Sequence, residues 1–167
     1  LWNVGPDRYT FAHALVEHSL YDELTPSRSG RLHRRVATAL EARYGDDPGE
    51  RIGELAHHWS AAMAIEDASK ALDYSRRAGD RALLQLAPDE ALRWYSQALE
   101  LHKRNGGAGN SVAILVGLGT AQRQVGDPAH RETLIAAAAE ALAVGDNDGL
   151  IAAVFANHRG FASSTLS

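Results

Sequence analysis

Residues 75–98 read SRRAGDRALLQLAPDEALRWYSQA, and this stretch decides the fold. Small or aromatic residues recur in it at helical spacing, with Gly79 in the first half and Ala91 and Tyr95 in the second. Pro88 divides the halves, and proline suits the first turn of a helix because the N–H that it lacks would have no partner there. The stretch therefore predicts two helices that fold back on each other and approach closely at their small residues.

The same spacing occurs a second time. The positions 12, 16 and 19 residues after Gly79 are Ala91, Tyr95 and Ala98, and those after Gly119 are Arg131, Ile135 and Ala138. This spacing resembles the tetratricopeptide repeat, a helix pair of about 34 residues in which small side chains let the helices approach. The second copy departs from the pattern at Arg131, and the Gly-rich segment 105–110 accounts for the longer separation. We expect Gly79 to lie at a close contact between two helices.

Helical periodicity runs through most of the chain. Helices are predicted over residues 12–24, 27–44, 68–84, 111–125, 128–144 and 148–158, with two more beginning near Pro48 and Pro88. The helix over 27–44 is expected to bury Leu32, Val36, Ala39 and Leu40. Before these helices, a short β-hairpin is expected around residues 6–7, with Tyr9 and Phe11 on one face. The predicted fold class is all-α: an antiparallel helix-pair solenoid after a short N-terminal β-hairpin.

Composition narrows the class of protein. Of the 167 residues, 45% are hydrophobic and 23% charged, and the net charge of −4 gives no global reason to bind nucleic acid or an anionic membrane. The chain has 0 cysteines, which suits a reducing compartment, and we expect the cytoplasm. No apolar run reaches the ~20 residues that cross a bilayer. The first residue is Leu1, and we interpret the chain as a piece of a longer protein.

Several segments resemble one family of proteins. They are YTFAHALV at 9–16, SLYDEL at 19–24, RLHRRVA at 31–37, ELAHHW at 54–59, AGDRA at 78–82 and ANHRGF at 156–161. Together they resemble the large bacterial signal-transduction ATPases (the STAND class), many of which are LuxR-type transcription regulators. The resemblance implies that residues 1–46 are the C-terminal part of a winged-helix-like subdomain. It implies that residues 47–167 begin the tetratricopeptide-like repeats.

The same resemblance implies a non-catalytic role. The phosphate-binding loop Gly-x-x-x-x-Gly-Lys-Ser/Thr has no counterpart in the sequence, and neither does a DNA-binding output domain. Nucleotide and DNA contacts would then belong to other domains. We expect a scaffold that couples a nucleotide switch to a sensor or partner, without a cofactor of its own. A free-standing adaptor that binds a peptide or protein is the alternative, and a histidine-dependent enzyme is a third.

Four residues are candidates for partner binding. Tyr74 and Trp94 lie off the predicted packed stripes of their helices, where aromatic residues can anchor a peptide. Packing against a neighbouring helix pair is the other use for them. Arg31 and Arg35 share a helix face that would suit a phosphate group. The alternative is a solvated face that pairs with acidic residues of the ATPase domain.

Two stretches of sequence resemble metal-binding sites, but the spacing of their residues does not fit the ligands of a metal ion. His57 and His58 are adjacent, so on a helix they point about 100° apart and cannot act like an i, i+4 pair of zinc ligands. Residues 146–149, DNDG, resemble a calcium loop, but the twelfth position is Asn157 instead of Glu. We therefore predict no metal site. The predicted last helix, over 148–158, is apolar, and we predict self-association, or exchange of this helix between copies, through residues 148–161. In a longer protein the next repeat would fill that role.

Overall fold

The computed structural model describes residues 2–5, 8–10, 24–62, 68–107 and 109–158, the first two ranges by their backbone alone. Two short strands, β1 (Trp2–Gly5) and β2 (Arg8–Thr10), pair antiparallel. The described residues then form the helices α1 (Pro26–Tyr44), α2 (Ile52–Ala61), α3 (Ala68–Leu84), α4 (Pro88–Arg104), α5 (Val112–Val125), α6 (His130–Val144) and α7 (Asn147–Asn157). The all-α class is confirmed. The helix predicted over 12–24 and the face shared by Tyr9 and Phe11 lie outside what is described, and the winged-helix assignment stays a prediction.

Local residues set the helix ends. Pro26 occupies the first turn of α1 after Thr25, whose hydroxyl accepts from the Arg28 N–H at 3.4 Å. Gly126 and Gly145 end α5 and α6 in the left-handed conformation that glycine adopts without strain. Asp146 then begins α7 by accepting the Gly149 N–H at 2.8 Å. These bounds lie within two residues of those predicted from the sequence.

The helices stack in chain order. Each one packs against the next, and weaker contacts join α3 to α5 and α5 to α7. The short connections between them require neighbours to fold back on each other. Contacts restricted to near neighbours are typical of helical-repeat solenoids.

The ring of Tyr95 fixes the middle of this stack. A Cβ atom on Gly79 of α3 would lie 2.9 Å from the ring, and one on Gly117 of α5 would overlap it. The Tyr95 hydroxyl donates to Asp80 Oδ1 at 2.6 Å, and the side chain is 1% exposed. Gly79 therefore lies at a close helix contact, as the sequence predicts.

The predicted inner face of α1 is wrong at Leu32, Val36 and Ala39, whereas Leu40 is partly buried against the core as predicted. Leu32 and Val36 are 40% and 41% exposed, whereas Gly30, His33 and Ala37 are buried. A Cβ atom on Gly30 would lie 2.7 Å from the Ala62 carbonyl oxygen, so the absence of a side chain allows α1 to approach the end of α2 there. This contact rotates α1 by about one residue from the face that hydrophobicity alone selects.

The register of the second repeat copy is also corrected. Ile135, predicted to occupy the position of Tyr95, is 62% exposed, and Leu134 is 1% exposed. A Cβ atom on Gly119 would lie 2.6 Å from Leu134 Cγ, so the contact moves by one residue along α6.

Adding one methyl group at Gly117 tests the Tyr95 contact. We expect Gly117→Ala to lower the free energy of unfolding by about 1–3 kcal/mol, because a buried, hydrogen-bonded ring must move. Gly53→Ala is the matched control, since its new Cβ would meet Trp94 at an ordinary 3.4 Å and alanine favours a helix. Urea unfolding of both variants measures this, and equal stability of Gly117→Ala and the unchanged protein would contradict the packing.

Candidate functional site

Three histidine rings meet where α1 packs on α2. His33 of α1 is 6% exposed, and its Nδ1 lies 2.8 Å from Nδ1 of His58, 25 residues along the chain. The ring centroids of His33 and His58 are 5.0 Å apart, and the His57 centroid lies 5.5 Å from that of His33 and 5.3 Å from that of His58. We call these three residues the histidine cluster.

The hydrogen bond constrains protonation of the cluster. One Nδ1 must carry a proton and donate, while the other must present its lone pair. Burial and then the charge of His57 lower the pKa of His33 below its ordinary value. Burial, then His33 and His57, lower the pKa of His58, and Glu54 opposes this shift. Both rings therefore favour the neutral state, and the hydrogen bond needs at least one of them to be neutral.

A cleft of about 400 Å³ adjoins the cluster between α2 and α4. Glu54, His57 and His58 line one side, and Arg93, Trp94 and Gln97 line the other. Its charged groups already have partners, because Glu54 accepts from Arg51 at 2.5 Å and Arg93 lies over the Trp94 ring. These lining residues include acid–base groups that can hydrogen-bond a polar chain.

Metal binding finds no geometric support in this part of the chain. Over residues 24–62, 68–107 and 109–158, no group of three or more His, Cys, Asp or Glu side chains is arranged to hold a metal ion. In the histidine cluster, the two closest nitrogens bond each other. At 146–149, the Asp146 carboxylate caps α7 and accepts from Asn110 at 3.0 Å, and these bonds lower its pKa.

Tyr74 and Trp94 are placed differently from the sequence interpretation. Each is only 8% exposed, so neither presents its ring to a partner. Trp94 packs against Gly53 of α2 and donates to Glu90 Oε1 at 3.2 Å. Burial raises the pKa of Tyr74 to about 12, with the Glu41 carboxylate adding to the effect. Tyr74 and Trp94 lie outside the row of packed residues within their own helix pair because they pack against a neighbouring helix. Packing of this kind is the alternative to peptide binding that the sequence left open.

Arg31 and Arg35 are exposed on α1, two residues before and two residues after the buried His33 in the sequence. They do not join the histidine cluster or the cleft. Their exposure suits either a contact with an anionic group or a solvated face, and their role in partner binding stays a prediction.

One polar contact joins three helices and has no simple sequence signal. Glu41 of α1 accepts from Trp59 Nε1 of α2 at 3.1 Å and from Lys70 Nζ of α3 at 2.7 Å. Lys70 also lies 4.3 Å from the centre of the Trp59 ring. Side chains so far apart in sequence can be paired only once the helix order is known.

The last two helices carry a broad apolar surface. On α6, the exposed residues from 135 to 144 are all alanine or larger aliphatic residues. On α7, those from 151 to 155 are apolar too, and Phe155 is 73% exposed. We call Ile135, Leu142, Ile151, Val154 and Phe155 the C-terminal apolar surface. The end of the region predicted to self-associate, residues 159–161, lies outside the described chain.

Comparison with protein-family models, curated proteins and solved structures finds no significant match to this chain. In the described ranges, every helix is too short or too polar to cross a membrane.

Substitutions can separate a packing role from a surface role. We expect Trp94→Ala to lower the free energy of unfolding by about 3–5 kcal/mol, because it empties a buried site. The double variant Arg31→Ala/Arg35→Ala should change it by no more than about 0.5 kcal/mol, because both side chains are exposed. Thermal or urea unfolding measures both, and a Trp94→Ala protein of normal stability would restore Trp94 as a candidate surface anchor.

Proposed function

We propose that this chain is a non-catalytic helical scaffold that binds protein through the end of its stack. The observation that carries the proposal is the C-terminal apolar surface. Exposed apolar patches of this kind, grouped on neighbouring elements, mark interaction sites in folded proteins. The cleft beside the histidine cluster offers no comparable apolar area, and its charged groups are paired.

The occupant proposed for this surface is a second copy of the chain. In a two-fold assembly, each patch meets an identical patch, so residue i of one copy contacts residue j of the other and any charge would need an opposite charge elsewhere in the same patch. The exposed positions from 135 to 144 and from 151 to 155 hold no charged residue. Glu140 is partly buried and accepts from the Ser111 hydroxyl at 2.5 Å, so it is already satisfied. Two copies can therefore bury this surface without leaving an unpaired charge.

The resemblance to bacterial signal-transduction ATPases extends this proposal. On that reading, residues 1–46 complete a winged-helix-like subdomain and 47–167 begin a tetratricopeptide-like solenoid, in a LuxR-type regulator of the cytoplasm. The segment would couple the nucleotide switch to a sensor or partner, and its own ATPase domain would be a partner for Arg31 and Arg35. Contacts with nucleic acid would come from other domains. The stacked helices and the close contact at Gly79 support the solenoid part of this reading.

A free-standing adaptor is the second candidate. It is favoured by the same stack of helix pairs, which needs no ATPase domain to complete its core. A phosphate-binding loop encoded directly upstream in the gene would decide for the regulator, and its absence from the full reading frame would decide for the adaptor.

Sedimentation at several protein concentrations tests self-association. We expect a concentration-dependent dimer that Leu142→Glu/Phe155→Glu converts to a monomer, because the variant places like charges at the centre of the interface. Leu84→Glu is the matched control, since Leu84 is 84% exposed at the end of α3, away from this surface. A monomer at every concentration would contradict the proposal, as would a dimer that both variants retain.

Calorimetry with Mg·ATP tests the non-catalytic part separately. We expect no heat of binding at micromolar to millimolar nucleotide, because the sequence offers no loop of backbone N–H groups and lysine for the phosphates. Micromolar affinity would show that the nucleotide site lies within these residues and would contradict the assignment of nucleotide contacts to another domain.

A further inference from the structure

The contact between α1 and α2 is unusual because its buried hydrogen bond joins two ionisable rings. His33 and His58 share one proton between their Nδ1 atoms at 2.8 Å, and His57 lies edge-on to both rings. At Gly30, one turn before His33, backbone approaches backbone at Ala62. The approach of α1 to α2 therefore depends on a pair of groups that titrate near neutral pH.

We propose that the histidine cluster is an acid-sensitive latch, which holds α1 on α2 at neutral pH and releases it when His33 and His58 are both protonated. A first added proton is compatible with the bond, because an imidazolium N–H can donate to a neutral imidazole nitrogen. A second proton removes the only acceptor lone pair and brings two cations into contact. Release is therefore a property of the doubly protonated pair.

The surroundings of the cluster set the direction of the effect. On α2, Glu54 is the carboxylate that acts on His58, but it is shared with Arg51. On α4, Arg93 lines the adjoining cleft and adds positive charge. On α1, Arg34 follows His33 in the chain, and on α3 Lys70 is paired with Glu41. Glu54 and Glu41 are thus already paired with cations, so neither of these two carboxylates offers an unpaired charge to a protonated ring.

The sign of the pH dependence follows from the lowered pKa of both rings. In the unfolded chain each imidazole titrates near pH 6.5, and in the folded chain it titrates lower. The unfolded chain thus binds more protons in this range, so stability is complete above the ordinary pKa and is lost as pH falls through the folded values. We expect the loss to begin below about pH 6.5.

Histidine NMR and hydrogen exchange on the unchanged protein provide the first test. The expected result is two coupled rings that titrate below the ordinary value, with faster amide exchange in α1 over the same pH range while α4 stays protected. Rings that titrate at or above the ordinary value would overturn the proposal, as would α1 exchange that does not change with pH. The same experiment with a chelator present should look identical, and dependence on the chelator would assign the effect to a bound metal and overturn it.

Variants provide the second test. His33→Gln/His58→Gln keeps hydrogen-bonding groups at both positions but removes the charges, and it should abolish the acid-induced exchange in α1. His102→Gln on α4 is the matched control and should leave that exchange unchanged. If the double variant does not fold, His57→Gln replaces it, since it leaves the hydrogen bond intact and removes one repelling charge. Its release should then require a lower pH, and an unchanged midpoint would contradict the role of the cluster.

Discussion

The aromatic ring of Tyr95 on α4 sets how closely the neighbouring helices α3 and α5 can approach. Tyr95 lies between Gly79 of α3 and Gly117 of α5, and any side chain at either glycine would have to displace it. Burial, and then the hydrogen bond to Asp80, raise the pKa of its hydroxyl, which therefore stays a protonated donor across the physiological range. The rotation of α4 is fixed by this bond, and α3 and α5 take their positions from α4. The helices before and after them build outward from that arrangement.

Alanine makes this spacing possible through the rest of the stack. Buried alanines occur on every helix from α1 to α7, alongside larger buried side chains such as Leu55 and Ile114. Small residues let helix backbones approach closely, but each one buries little apolar area. Buried polar contacts then help to fix the register between helices, as where Gln97 of α4 donates to the hydroxyls of Ser60 and Ser75. Exposed ion pairs such as Lys103–Glu100 contribute little to this.

The features readable from the sequence are those that local chemistry decides. Proline at the first turn, left-handed glycine at the end and an aspartate cap depend on a few adjacent residues, so helix bounds were predicted closely. The rotation of each helix depends on its partner, and there the prediction failed for α1 and α6. Leu32 is more hydrophobic than Gly30, yet Gly30 faces α2 because only its missing side chain allows the contact. The packing of Trp94 and the grouping of the three histidines also could not be predicted without knowing which helices are neighbours, since their partners lie on other helices.

The two ends of the described stack differ in the groups that they present. We therefore expect them to respond differently to a change of pH. α1 meets α2 through rings that gain charge in acid, so that contact is sensitive to protons. At α6 and α7, apolar residues occur on the exposed side as well as the buried one, a distribution typical of helices covered on more than one side. Burial of aliphatic groups is indifferent to protonation and little affected by moderate salt. If both proposals hold, acid would release the first helix without weakening an apolar contact at the other end, which would make the α1–α2 contact the adjustable one.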